Sequence, residues 1–366
     1  MLDKHTKIYV AGHQGLVGSA IWNNLQQRGF HNLIGRTHRE LDLLDPVAVR
    51  NFFDQEQPEA VVLAAAYVGG IMANLTYRAD FIYRNLQIQQ NVIGESFRHG
   101  VKKLLFLGST CIYPRDAQQP IREEELLMAP LEYTNEPYAI AKIAGLKLCE
   151  SFNLQYGTNY IAVMPTNLYG PNDNFHLERS HVLPAMMRKI YLSRLLSEEN
   201  WSAVRNDLNL RPVEGVDGQA DEAAITNILG KYGIAPGRVT LWGTGKPLRE
   251  FLWSEEMADA SVHVLLNVDF QDTYDATAQE VRNCHINVGS GREIAIKDLA
   301  EKIKAAVGFE GEIVWDSSKP DGTPRKLTDV KKLHALGWHH QIEIDEGIER
   351  LFDWYRTGIE AATTTR

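Results

Sequence analysis

Short apolar runs rich in β-branched residues alternate, along the first half of the chain, with longer stretches whose apolar residues recur at helical spacing. KIYVAG precedes LVGSAIWNNLQQRG, NLIGR precedes VAVRNFFDQEQ, and AVVLAAA precedes ADFIYRNLQIQQNVIGESFRHG. KKLLFLGS and YIAVMPT then enclose YAIAKIAGLKLCESFNLQYG. This alternation predicts parallel strands joined by crossover helices, since a strand, helix, strand unit brings each strand back in the same direction. The expected fold is α/β, a doubly wound parallel sheet. Gly29, Gly100 and Gly157 mark helix ends, where glycine takes the left-handed conformation at little cost.

After Pro171 the alternation weakens through PNDNFHLERSHVLP. A boundary is expected there, with a first domain over residues 1–172 and a smaller C-terminal α/β domain over 173–366. Residues 193–238, two helix-like segments around RPVEGVDG, read as an insertion. VTLWG, SEEMADASVHVLLN, CHINVGSG and IKDLAEKIKAAVG resume the alternation inside the second domain. The tail after Trp354 shows no core pattern and is expected to fray.

Charge narrows the function. The 366 residues carry 47 acidic against 38 basic side chains, a net charge of −9, which opposes general attraction to nucleic acid or an anionic membrane. An anionic ligand must then be held by local cations. No apolar run approaches the roughly 18–20 residues of a membrane span, and none precedes Lys7, so a cytoplasmic protein is expected. Cys111, Cys149 and Cys284 are widely spaced and suggest neither a metal site nor a disulfide framework. A cysteine with a chemical role would act as a thiol.

Gly12, Gly15 and Gly18 lie in GHQGLVG, between the first strand and the first helix. That context suits a dinucleotide: a tight turn, close approach of backbone to pyrophosphate, and phosphate charge at a helix N-terminus. The second strand ends in Gly35-Arg36-Thr37-His38-Arg39, with no acidic residue to meet a ribose 2′-hydroxyl. Arg36 and Arg39 suit a 2′-phosphate, so NADP(H) is expected. Asp42 and Leu43 should lie near the adenine, and Ala65 and Ala66 should let the cofactor pass the third strand.

Tyr138 and Lys142 stand four apart on a helix-like segment, on one face, and Ser109 ends the fourth strand. An ammonium beside a phenol lowers its pKa, which lets tyrosine exchange a proton with a carbonyl oxygen. Ser109 would hydrogen-bond the same oxygen. With the glycine motif, this trio resembles the extended short-chain dehydrogenase/reductase family. GSTCIYP, NEPYAIAKIAG, VMPTNLYGPNDNF, SHVLPA, WGTGKPLREFL and KPDGTPRKL extend the resemblance from about Lys7 to Trp354, outside the 193–238 segment, to members acting on GDP-4-keto sugars.

The resemblance implies NADPH-dependent epimerisation at carbons 3 and 5 and reduction at carbon 4 of GDP-4-keto-6-deoxy-D-mannose. Cys111 and His181 match the family positions that move protons at carbons 3 and 5. Gln14, Leu16, Val17, His38, Leu107, Gly108, Pro165, Asn167, Leu168 and His181 match cofactor positions, together with Lys142. Gln14 and His38 depart from cationic residues in relatives. Lys189, Trp242, Arg249 and Asp321 match positions that contact the nucleotide sugar. Related enzymes imply a homodimer packed through helices of the nucleotide domain. The alternatives are a GDP-sugar 4-ketoreductase acting on another deoxy or heptose sugar, and a nucleotide-binding relative without turnover.

Overall fold

The structure is a computed structural model that describes residues 2–177, 180–319 and 321–364. Its first elements, in chain order, are β1 (Ile8–Ala11), α1 (Leu16–Gln27), β2 (Leu33–Ile34), α2 (Pro46–Glu56), β3 (Ala60–Leu63), α3 (Ile71–Thr76), α4 (Arg78–Arg98), β4 (Lys103–Leu107), α5 (Glu136–Tyr156) and β5 (Tyr160–Pro165). There follow β6 (Asn167–Tyr169), α6 (Val182–Ser197), α7 (Trp201–Leu210), α8 (Glu222–Lys231), β7 (Ile234–Ala235), β8 (Arg238–Trp242), β9 (Leu248–Trp253), α9 (Ser254–Asn267) and β10 (Ile286–Val288). The last are β11 (Glu293–Ala295), α10 (Ile296–Val307), β12 (Glu312–Asp316), β13 (Arg325–Lys326), α11 (Lys331–Ala335) and α12 (Ile344–Thr364).

The chain folds as two compact units. The first takes in the described residues within 1–168, 250–292 and 327–341. Its six-stranded sheet has the order β10-β5-β4-β3-β1-β2 and is parallel at every pairing. This is the doubly wound parallel sheet expected from the alternation. Successive side chains point to opposite faces, and all four residues of β1 and of β3 are buried. Tyr9, Ala11, Val61, Leu63 and Phe106 join one core, whereas Ile8, Val10, Val62, Leu105 and Leu107 join the other.

The single boundary expected after residue 172 is crossed by later segments, since α9, β10 and α11 all belong to the first unit. The apolar stripe of α9, with Met257, Val264 and Leu265, fills the second core, and Asp259 fixes the helix by accepting from Asn24, Arg28 and Trp338. β10 pairs with β5, Ile286 opposite Val163. Residues 327–329 are held by Glu250, whose carboxylate accepts from Thr328 N and Oγ1, and by the exchange of backbone bonds with Ile121. Strand periodicity names an element, not its partner, which is why the sequence left these segments in the second domain.

The second unit takes in the described residues within 169–249, 293–326 and 342–366. A three-stranded sheet orders β12-β8-β7, with α6, α7, α8, α10 and α12 around it. The segment read as an insertion contains α7 and α8 and is built into this core. Arg188 on α6 and Asp207 on α7 are both fully buried, joined at 2.7 Å. Arg188 also donates to the carbonyl oxygens of Phe175 and Arg211. The tail expected to fray after Trp354 is instead the second half of α12: Tyr355 and Ile359 are buried, and the Tyr355 hydroxyl donates to Asp207.

Candidate active site

Gly12 has φ +84°, and a Cβ there would stand 2.8 Å from the nitrogen of Ala65. A Cβ on Gly18 would collide with the carbonyl oxygen of Gly12. Only glycine permits both approaches, so the turn packs against the end of β3 and the start of α1. Gly15 is the N-cap of α1 and no side chain caps the helix. The first-turn N–H groups at Leu16 and Val17 therefore remain available to an anion, a cradle that fits a pyrophosphate. Gln14 is exposed beside it.

Arg36 leaves the end of β2 with Nη2 2.5 Å from Glu56 Oε1. Arg39 is exposed, and exposed His38 lies 3.7 Å from Asp42. Asp42 also accepts from the backbone of Leu44, and Leu43 packs on the core. Ala65 and Ala66 follow β3 and are partly buried. Leu107 ends β4, and the N–H of Gly108 donates to Val163 at 2.8 Å. Pro165 ends β5 opposite Val288, Asn167 donates to the carbonyl oxygen of Glu250, and Leu168 packs on the second core.

Ser109, expected to end the fourth strand, lies two residues beyond the end of β4 and caps a short turn over Thr110–Ile112, its Oγ accepting from Cys111 N at 3.2 Å. Tyr138 and Lys142 occupy the first turns of α5, with Lys142 Nζ 5.7 Å from the Tyr138 ring centroid. Lys142 is buried and donates to the carbonyl oxygen of Leu107 at 2.8 Å. Burial pushes its pKa down to about 8, while electrostatic interaction with Cys111 acts to raise it. The Tyr138 phenol departs from expectation: burial, and then the charge of Cys111, hold it above its ordinary value. Desolvation dominates, and the phenol stays in its acid form at neutral pH. Cys111, Tyr138 and Lys142 thus share one electrostatic environment. Cys149 and Cys284 are buried core thiols, and burial pushes Cys284 up to about 11.

His181 belongs to the second unit, as the N-cap of α6, where desolvation lowers its pKa below the ordinary 6.5. The nucleotide-sugar candidates gather in that unit as well. Lys189 is buried, its pKa is pushed down to about 8, and its Nζ lies 6.0 Å from the Trp242 ring. Trp242 is 62% exposed. Asp321 accepts from Thr244 N at 2.6 Å and Thr244 Oγ1 at 2.7 Å, so it shapes the turn after Trp242. Burial lowers the pKa of Arg249, and the Asp321 charge acts against that shift.

Two residues escaped the sequence reading. Lys319 places a second ammonium 5.6 Å from the Trp242 ring. Asp173, in the PNDNF run, has a buried oxygen without a hydrogen-bond partner, and burial pushes its pKa up to about 7. Both lie inside quoted motifs, Lys319 opening KPDGTPRKL and Asp173 within VMPTNLYGPNDNF, and it is burial and proximity that single them out.

Residues 8–221 and 207–289 match the profile of the NAD dependent epimerase/dehydratase family. The chain belongs to the NAD dependent epimerase/dehydratase family. Relatives within this epimerase/dehydratase family include GDP-L-fucose synthase 1 of Arabidopsis thaliana, 50% identical over 97% of this chain and 94% of its own. GDP-L-fucose synthase of Escherichia coli (strain K12) is 48% identical over 95% of this chain and 96% of its own. A solved GDP-D-glycero-L-gluco-heptose synthase from Campylobacter jejuni, in the presence of NADPH, is 43% identical with a TM-score of 0.90, covering 97% of this chain and 100% of its own.

Proposed function

We propose that the protein converts GDP-4-keto-6-deoxy-D-mannose to GDP-L-fucose, using NADP(H). The observation that carries this reading is the thiol of Cys111 set within the Ser109, Tyr138 and Lys142 cluster, coupled to both Tyr138 and Lys142. Near-full-length identity to GDP-L-fucose synthases supports it. A 4-keto group acidifies the hydrogens on carbons 3 and 5. Cys111 removes these protons, and His181 returns protons to the opposite faces. Ser109 and Tyr138 hydrogen-bond the keto oxygen, which gains charge as each enolate forms. Tyr138, kept in its acid form by burial, then protonates oxygen 4. Bound NADPH supplies the hydride for carbon 4. Lys142 holds positive charge behind the phenol, and the α1 N-terminus with Gly12 and Gly18 holds the pyrophosphate.

Arg36 is assigned the 2′-phosphate, and Lys189, Trp242, Arg249 and Asp321 the GDP-sugar. We assign residues 1–172 mainly to cofactor and 173–366 mainly to substrate, with 250–292 and 327–341 completing the cofactor unit. Among the described residues no helix is long and apolar enough to cross a membrane. A cytoplasmic homodimer fits, with exposed Tyr83 on α4 and Ile140, Leu154 and Tyr156 on α5 as the apolar contact surface.

The test is product analysis after incubation with NADPH and GDP-4-keto-6-deoxy-D-mannose. GDP-L-fucose is expected. A reduced sugar with unchanged carbons 3 and 5 would overturn the epimerase role. Likeness to the heptose synthase favours a second reading, a 4-ketoreductase of GDP-heptoses, which the same assay with a GDP-4-keto-heptose tests.

A further inference from the structure

We propose that Glu56 tunes the preference for NADPH over NADH by competing with the 2′-phosphate for Arg36. The inference rests on the assignment of Arg36 to that phosphate.

Glu56 is the last residue of α2, at the carbonyl end of the helix, where a carboxylate opposes the helix dipole. Its position there is matched by two cations. Arg36 Nη2 lies 2.5 Å from Oε1, and Lys7 Nζ lies 3.6 Å from Oε2 while donating to the Glu56 carbonyl oxygen at 2.7 Å. Arg36 Nη1 is taken by the carbonyl oxygen of Gly35 at 2.9 Å, and its guanidinium sits 5.7 Å from the Phe52 ring centroid. The guanidinium is therefore placed, and its charge matched, by the protein itself. Both partners keep part of their side-chain surface exposed, 36% for Arg36 and 26% for Glu56, so the pair is open to exchange. Glu40 adds a second carboxylate that feels the Arg36 charge, and it lines a cavity of about 170 Å³ with Arg36, Asn51, Phe52, Gln55 and Glu56.

This arrangement treats the two cofactors differently. With NADH, which lacks the 2′-phosphate, Arg36 keeps Glu56 as its partner and no cation is left unmatched. With NADPH, a phosphate bearing about −1.5 to −2 charges must draw Arg36 from Glu56, or share it against the repulsion of that carboxylate. Glu56 thus lessens the gain from the phosphate and lessens the loss from its absence.

The experiment measures kcat/KM for NADPH and NADH, and Kd for NADP+ and NAD+ by calorimetry, in wild type, Glu56→Gln and Arg36→Ala. Glutamine keeps the size and removes the charge. Glu56→Gln should raise the NADPH/NADH ratio roughly twofold to fivefold, the scale of a partly exposed ion pair, chiefly through tighter NADPH binding. Arg36→Ala should collapse the ratio. An unchanged or lowered ratio in Glu56→Gln, with collapse in Arg36→Ala, overturns the competition and leaves the Arg36 assignment standing. An unchanged ratio in Arg36→Ala overturns both.

Discussion

Lys142 Nζ is bonded to the carbonyl oxygen of Leu107, two residues before Ser109, so the helix that carries Tyr138 is pinned to the end of the strand that leads into Ser109. The bond spans 2.8 Å and is buried, which keeps it out of competition with water. Phenol and hydroxyl are in this way set by one anchoring contact.

The same lysine sets a pH limit. Its pKa is pushed from 10.5 down to about 8, so the ammonium is present below that pH and is lost as pH rises through it. Loss of the charge makes Tyr138 a poorer proton donor. Reductive kcat/KM should hold below about pH 8 and decline above it, read from NADPH oxidation between pH 6 and 10. A level profile up to pH 10 would separate Lys142 from the proton transfer.

Tyr138→Phe removes the acid and leaves the ring in place against Phe81. Turnover should fall roughly 100-fold or more, the range of general acid catalysis, with NADPH binding retained. Hydrogen exchange at carbons 3 and 5 should persist in deuterated water. Near-normal NADPH consumption would take Tyr138 out of the mechanism.

Cys111→Ser addresses epimerisation. A hydroxyl yields its proton far less readily than a thiol, so the variant should keep cofactor binding yet lose solvent deuterium incorporation at carbons 3 and 5. Slow direct reduction of unepimerised sugar should remain. Full exchange in the variant would transfer the base role to another residue, with His181 the first candidate.

Asp207→Ala leaves the buried Arg188 guanidinium without its counter-ion and Tyr355 without its acceptor. Breaking a buried pair from one side costs about 3–5 kcal/mol. Urea unfolding should report a loss of that size, and a loss below about 1 kcal/mol would show that the pair does not hold α6, α7 and α12 together.

What could be read in advance was local. GHQGLVG specifies a turn whose parts lie within seven residues, and the Tyr138, Lys142 pair needs only helical spacing. The allegiance of β10 was not legible, because Ile286 meets Val163 across more than a hundred residues and the pattern of CHINVGSG fits either unit. Arg188 and Asp207 could not be singled out, since nothing in their neighbours announces a buried pair. The end of the chain is different. Ile348, Leu351, Phe352, Tyr355 and Ile359 recur at helical spacing and are all buried, so the stripe was present but obscured by the polar AATTTR.

The scattered make-up of the first unit also orders events during synthesis. β1 to β5 leave the ribosome long before β10, so the outer edge of β5 must wait, with its backbone donors and acceptors unpaired, until residues 286–288 arrive. Residues 327–341, of which 327–329 bond Ile121 and Glu250, come later still. Through that interval a nascent chain presents an open strand edge to its neighbours, and crowded polysomes are where strand-to-strand association between copies should be greatest.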